Sequence, residues 1–210
     1  MIDDLGWTSY KLDEAEAAVK WIEDGIRLAR EIKDYYSVAK GYRHLASITR
    51  RQGDVDAAQA YLNKAKRYIS RIVSEQEKSE LSNSILLSEG RLLLKRGQLQ
   101  DSIVLLKQAL DSYRSAEDKE REIKVYAILG KAEEGLDRVS KARVHYEEGR
   151  LMAMKFGRFD EVANNTSLYI KTLSDEQRND KARLVNEVHE YAQQNGLWNE
   201  ARKWIDNYAQ

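Results

Sequence analysis

The sequence predicts an all-α fold, an α-solenoid of antiparallel helix pairs, and three observations carry that expectation. Proline is absent from the 210 residues and glycine is sparse, with 11 copies. Ala, Leu, Glu, Lys and Arg, all strong helix formers, dominate the composition and leave little room for long irregular linkers. The chain also repeats itself: Leu5-Gly6, Leu45-Ala46, Glu89-Gly90 and Leu129-Gly130 recur 40, 44 and 40 residues apart, each among apolar residues at helical spacing.

Each copy reads as a helix, a break and a second helix. Ile2, Tyr42, Leu86 and Tyr126 stand four positions before the small residue, and the turn formers Asp13, Gly53, Gly97 and Asp137 stand seven after it. The second helix carries Ala18, Ala58, Ser102 and Ala142, then Ile22, Leu62, Leu106 and Tyr146, then Gly25, Ala65, Ala109 and Gly149. Two helices joined by a short turn approach closely only where one offers a small side chain and the other fills the space, so alternating small and large columns are what close packing requires. The segments Leu28 to Asp34 and Ser112 to Asp118 end such helices and lead to the next copy through an acidic turn.

These columns resemble the tetratricopeptide repeat, whose large residue, Leu-Gly, Tyr, Ala, aromatic or apolar residue, and Ala are matched most fully from Tyr42 to Ala65. The resemblance covers four units, residues 1–34, 35–73, 74–117 and 118–156, and implies a right-handed superhelix with a concave inner wall. The period exceeds the usual figure of about 34 and the closing proline is missing, which predicts the long-period type with a longer second helix in each unit.

After Gly157 the register falters, because His189, in the next well-phased segment, lies 59 residues past Gly130. Residues 157–195 are therefore expected to form a degenerate pair, with a helix starting at Ser174 or Asp175, whose short polar side chains cap free amides. Residues 196–210 are expected to form a terminal capping helix in which Trp198, Trp204, Ile205 and Tyr208 cover the end of the core, in preference to a ligand cage. At the other end, the first unit begins almost at Met1 without a lead-in turn. A bare terminal repeat exposes an apolar face, so the chain is expected to be a fragment of a larger protein.

Composition also bounds function. Thirty-five basic residues balance 35 acidic ones. That balance argues against a surface wholly committed to polyanions, and nucleic acid is disfavoured as a partner because aromatics do not alternate with the basic residues. Cysteine is absent, which removes disulfides, thiolate nucleophiles and Cys-based zinc sites. No apolar run approaches the roughly 20 residues that span a bilayer and no signal peptide opens the chain, so a cytoplasmic location is expected. The histidines His44, His145 and His189 share no metal-ligand spacing. Gly130 to Gly135 superficially looks like a phosphate loop, but Leu136 and Asp137 replace the required Lys and Ser or Thr. Adjacent carboxylates such as Glu147-Glu148 point to different parts of a helix surface. An enzyme is not expected, and neither a cofactor nor a metal.

In the tetratricopeptide family the first helix of each pair lines the inside of the superhelix, and the resemblance carries that role to particular positions. The first unit offers Asp3, Trp7, Tyr10 and Lys11; the second Lys40, Arg43, His44, Ser47, Arg50 and Arg51; the third Ser84, Leu87, Ser88, Arg91, Leu94 and Lys95; the fourth Lys124, Ala127, Ile128, Lys131 and Glu134. The excess is positive. The candidate partner-binding set is Trp7, Lys40, Arg43, His44, Ser47, Arg50, Arg51, Arg91, Lys95, Lys124 and Lys131, a basic groove suited to an acidic peptide or protein surface. The bland alternative is solvated charge on helix faces. The family's lysine and asparagine clamp for free carboxyl termini is not reproduced. Leu5 to Trp7, Glu23 to Ile32 and Tyr42 to Ala46 resemble the repeat sensors at the carboxyl end of bacterial signal-transduction ATPases. The expected role is a non-catalytic interaction or sensing module of a larger signalling protein; the alternative is a scaffold that self-associates through its end repeats.

Overall fold

The computed structural model describes residues 15–206. Among them are ten α-helices: α1 (Ala15–Glu31), α2 (Tyr35–Gln52), α3 (Val55–Ile69), α4 (Glu75–Lys95), α5 (Leu99–Ser115), α6 (Lys119–Glu134), α7 (Val139–Lys155), α8 (Phe159–Lys171), α9 (Arg178–Gln194) and α10 (Trp198–Asp206). A 3-10 turn at Asp175–Gln177 precedes α9, and no strand occurs among the described residues. Among the described residues, those up to Ala109 form one compact unit and those from Leu110 onward a second, the division falling within α5.

One local device makes most of the breaks. Gly53 adopts φ 95° and Gly97 φ 76°, and Asp137, which occupies the same column, adopts φ 58°. At Gly53 the amide donates to the Arg50 carbonyl at 3.2 Å and the next amide, of Asp54, reaches back to Thr49 at 2.9 Å. The carbonyls orphaned at the helix end are thereby satisfied. Asp54 then caps the following helix by accepting from the Ala57 amide at 2.9 Å, so one dipeptide ends α2 and starts α3. Lys33-Asp34 and Glu117-Asp118 repeat the scheme between pairs: Lys33 and Glu117 take φ 59° and 55°, and each aspartate accepts from an amide three residues on. Asp13, the first member of the turn column, lies outside the described residues.

In the first unit, Tyr35 faces Tyr68 and Tyr42 faces Tyr61 with ring centroids 6.0 and 6.2 Å apart. One index rises as the other falls, which makes α2 and α3 antiparallel. Ala46 packs with Ala58, Leu62 and Leu92, all at most 2% exposed. At Gly90 an added β-carbon would sit 2.9 Å from Leu106 Cγ, and Ser102, fully buried, satisfies its hydroxyl by donating to the Gly90 carbonyl at 2.7 Å. Ala18, Ile22 and Ile26 of α1 join Val38, Tyr42 and Leu45 of α2 in the core that continues to Ile85 of α4.

In the second unit Gly130 lies against the ring of Tyr146, and Ala142 and Tyr146 are fully buried. Ile123, Ala153, Val162 and Val188 share one core, and Ile170, Leu184 and Val185 another. The small and large columns thus pack as their chemistry requires at Ala46, Gly90 and Gly130; Gly6 lies outside the described residues. The extra length of each pair is placed differently from expectation. In α2/α3 and α4/α5 the first helix is the longer, 18 against 15 and 21 against 17 residues, whereas in α6/α7 and α8/α9 the second exceeds the first, 17 against 16 and 17 against 13.

The faltering register after Gly157 has a structural cause. Between α8 and α9 the chain inserts an irregular stretch and a 3-10 turn, closed by reciprocal capping of Ser174 and Gln177. Arg143 of α7 pins this stretch, donating to Thr172 Oγ1 at 2.8 Å, to the Thr172 carbonyl, and to Gln177 Oε1 at 3.0 Å. Beyond it, Trp204 and Ile205 of α10 pack on these cores, and Trp204 Nε1 donates to Ser167 Oγ at 2.7 Å. Trp198 stays 46% exposed, edge-on to His189. Tyr208 lies outside the described residues.

Candidate functional site

The face expected to bind a partner is built in the first unit by α2 and α4. Helical spacing puts Ser47 and Arg50 one turn apart on α2, and Ser88 and Arg91 one turn apart on α4. These four line a single cleft whose floor is Ala46, Ala58, Leu62 and Leu92. The small column that lets the helices pack also brings the two polar rims close. The enclosed space is only about 10 Å³, roughly one water, so the cleft suits side-chain tips or a backbone laid across it and not an engulfed ligand.

The remaining candidates are distributed around that cleft. Lys40 and Arg43 are half-buried, Arg51 and Lys95 are exposed, and His44 is only 5% exposed, a packing position more than a contact surface. Lys40, Arg43, His44, Arg50, Arg51 and Arg91 each already have a polar, ionic or ring contact. Trp7 lies outside the described residues, as do Asp3, Tyr10 and Lys11.

In the second unit one of the two basic candidates, Lys124, is paired with carboxylates. Lys124 is bound to Glu120 and stands 4.0 Å from Glu161, while Arg158 reaches Glu120 at 3.3 Å. The hydrogen bond from Lys124 holds the Glu120 carboxyl below its ordinary range, despite partial burial. Lys131 is exposed, and Ala127 is buried.

Two ionic features escaped sequence reading. Arg150, 1% exposed, forks onto Glu147 at 2.7 and 2.9 Å and reaches Glu187 of α9 at 2.7 Å. Burial works against its charge, but the two carboxylates hold the guanidinium pKa above its ordinary value. Glu122, 2% exposed, receives Arg114 and Lys119, each at 3.0 Å. In each cluster one partner, Glu187 for Arg150 and Arg114 for Glu122, comes from another helix, a pairing that a sequence does not give. The third feature is a cationic and aromatic cavity of the first unit, lined by Arg30, Tyr42, Lys64, Arg67, Tyr68 and Arg71. Lys64 and Arg67, one turn apart on α3, and Arg71, four residues on and just past the helix end, were the available signal.

The histidines are dispersed in packing contacts: His145 lies 6.3 Å from the Tyr126 ring and His189 5.0 Å from Trp198, centroid to centroid. Among the described residues no helix is long and apolar enough to cross a membrane.

No protein-family model matches the sequence, and no curated protein matches it. Solved structures do. A signal transduction ATPase with numerous domains and a tetratricopeptide repeat sensor, from Pyrococcus horikoshii, superposes with a TM-score of 0.67 at 16% identity, over 99% of this chain and 30% of that one. A putative kinesin light chain from Podospora anserina, with nearly identical TPR-like repeats, gives 0.64 at 16% over 93% and 94%. The fold is of the tetratricopeptide type. Aspartyl phosphate phosphatase F from Bacillus subtilis shares it, with a TM-score of 0.70 at 14% identity, over 100% of this tetratricopeptide-type chain and 59% of the phosphatase. The chain thus spans less than two thirds of the ATPase and of the phosphatase.

Proposed function

We propose that this tetratricopeptide-type chain is a non-catalytic protein-interaction or ligand-sensing module that takes an acidic peptide or acidic protein surface on the α2/α4 face. The observation that carries the reading is the convergence of Ser47, Arg50, Ser88 and Arg91 on one cleft with an apolar floor. Guanidinium groups present paired N–H donors that match a carboxylate, and the flanking hydroxyls can donate to or accept from a peptide backbone. Exposed Arg51 and Lys95 add positive charge at its margin. The role within a longer signalling protein rests on the Pyrococcus protein, a signal transduction ATPase with a repeat sensor, of which this chain matches 30%.

Fluorescence anisotropy with a labelled glutamate-rich peptide tests the site. The double variant Arg50→Glu, Arg91→Glu is expected to weaken binding at least tenfold with unchanged circular dichroism; equal affinity of native and variant chains overturns the assignment. The second part is tested in the gene. A reading frame continuing upstream of Met1 into a nucleotide-binding motif is expected, and a stop codon immediately upstream overturns it.

A further inference from the structure

The cavity lined by Arg30, Tyr42, Lys64, Arg67, Tyr68 and Arg71 shares no residue with the α2/α4 cleft and has about 260 Å³ of space. Its tyrosines belong to a row. Tyr42 stacks with Tyr61 on one side and with Tyr68 on the other, at 6.2 and 6.0 Å, and Tyr68 stacks with Tyr35 at 6.0 Å. Cations line this row. The Arg30 guanidinium lies 5.4 Å from the Tyr42 ring and 5.9 Å from Tyr68, Arg71 lies 5.4 Å from Tyr68 and 5.6 Å from Tyr35, and the Lys64 ammonium lies 5.1 Å from Tyr61 and 5.6 Å from Tyr42. The ring faces fix the directions of three long, otherwise mobile side chains.

What these cations lack is an anion. Among the described residues, Arg30, Lys64, Arg67 and Arg71 form no ion pair with a carboxylate, although elsewhere in the chain Arg and Lys pair freely, as in Lys66 with Glu89 and Arg96 with Asp56. Ring contacts orient these charges without neutralising them. Tyr42 adds a directed donor: its hydroxyl accepts from Arg30, and its own proton has no acceptor among the described residues. Four like charges around one cavity, with a hydroxyl proton to spare, make a field that a multiply charged anion relieves.

We infer that this cavity binds a phosphoryl group, as a phosphate ester or diphosphate of small size. A phosphate monoester carries nearly two charges and three strong acceptor oxygens, enough for several guanidinium forks at once, whereas a single carboxylate satisfies one or two. The volume falls below the roughly 300 Å³ at which pockets begin to enclose drug-sized ligands, so a phosphoryl head with a short attachment fits and a large organic body does not. The phosphoryl group can come from a free metabolite or from a phosphorylated side chain; the chemistry at the cations is the same.

Isothermal titration calorimetry on the full chain, at fixed ionic strength in chloride, tests the site with inorganic pyrophosphate, ribose 5-phosphate and O-phosphoserine. Saturable binding of at least one probe at one site per chain is expected. Arg67→Ala, which removes an exposed guanidinium from the cavity lining, is expected to weaken it at least fivefold, and Arg67→Ala with Arg71→Ala at least tenfold. Lys107→Ala, an exposed cation outside the cavity, should change nothing. Tighter binding of pyrophosphate and ribose 5-phosphate points to a metabolite, and tighter binding of O-phosphoserine to a phosphorylated side chain. No saturable binding of any probe at millimolar concentration, or binding that the Arg67 and Arg71 variants leave intact, overturns the site. Far-ultraviolet circular dichroism and thermal unfolding without ligand confirm that the variants fold. The glutamate-rich peptide should bind the Arg67 variant as it binds the native chain, which keeps the fate of the α2/α4 assignment separate.

Discussion

Gly130 of α6 and Tyr146 of α7 are in direct contact: the tyrosine ring occupies the space that a β-carbon at position 130 would take. Tyr146 is fully buried and its hydroxyl donates to Glu134 Oε2 at 2.8 Å, so the ring is held at both ends and cannot retreat. Gly90 meets Leu106 instead, whose atoms nearest an added β-carbon are at 2.9 Å and lie on a branched side chain with other rotamers.

The first expectation follows from that contrast. Alanine has a helix propensity better than glycine by about 1 kcal/mol. Overpacking a core costs about 1 to 3 kcal/mol. At Gly130, against a pinned ring, overpacking wins and Gly130→Ala destabilises by roughly 2 kcal/mol; at Gly90 the two effects nearly cancel. Urea unfolding of both variants checks the order, and Gly90→Ala proving the more damaging would contradict it.

The same contact explains how much of the fold could be read from the sequence. Columns such as Gly90/Gly130 and Leu106/Tyr146 repeat at helical phase, so helix pairing follows from side-chain volume alone. Turns were legible too, including Asp137 at φ 58° in a column that glycine holds at positions 53 and 97, since aspartate tolerates that conformation. The insertion at 172–177 was visible only as a loss of phase, because its tie to Arg143 joins residues 29 and 34 positions apart. The candidate site was half legible. Helical spacing brings Ser47, Arg50 and Arg91 to one cleft, but Lys124 is claimed by Glu120 and His44 by the core, outcomes that depend on neighbouring helices.

Arg150 provides a second expectation. A buried cation deprived of its geometry cannot be rescued by water, and breaking a buried pair from one side costs about 3 to 5 kcal/mol. Removing the cation itself leaves Glu147 and Glu187 about one third exposed and able to hydrate. Glu147→Ala with Glu187→Ala should therefore destabilise more than Arg150→Met, which keeps the volume and removes the charge. Thermal unfolding of the two variants at neutral pH ranks them, and the opposite order would show that the pair matters chiefly through the carboxylates.

Alkaline pH gives a third. Burial, followed by the hydrogen bond to Glu134, raises the Tyr146 pKa well above its ordinary value. Below about pH 10 the hydroxyl is protonated in the folded and the unfolded chain alike, and its contribution is complete. As pH rises past that value the unfolded chain releases the proton while the folded chain retains it, so stability falls. Tyr42 and Tyr191 are raised by burial in the same direction. Denaturant midpoints should drop from about pH 10 upward in the native chain, and drop less steeply in Tyr146→Phe. Identical slopes would remove Tyr146 from the account.

Arg143 supports the last. The irregular stretch after α8 lacks the left-handed break that ends most other helices here, and its backbone is instead held from outside by one guanidinium that meets Thr172 and Gln177. Hydrogen bonds to a charged donor are worth about 1.5 to 3 kcal/mol. Arg143 is half-buried, so part of that is returned as water replaces the lost contacts, and Arg143→Ala should destabilise by roughly 1 to 2 kcal/mol. Arg143→Lys should behave almost as badly, because an ammonium cannot span three acceptors that a planar fork reaches at once. Amide hydrogen exchange locates the effect: protection should fall at residues 172–178 and along the start of α9 while α2 and α3 keep theirs. Uniform loss of protection across the chain would mean that Arg143 stabilises the fold as a whole and not this linker.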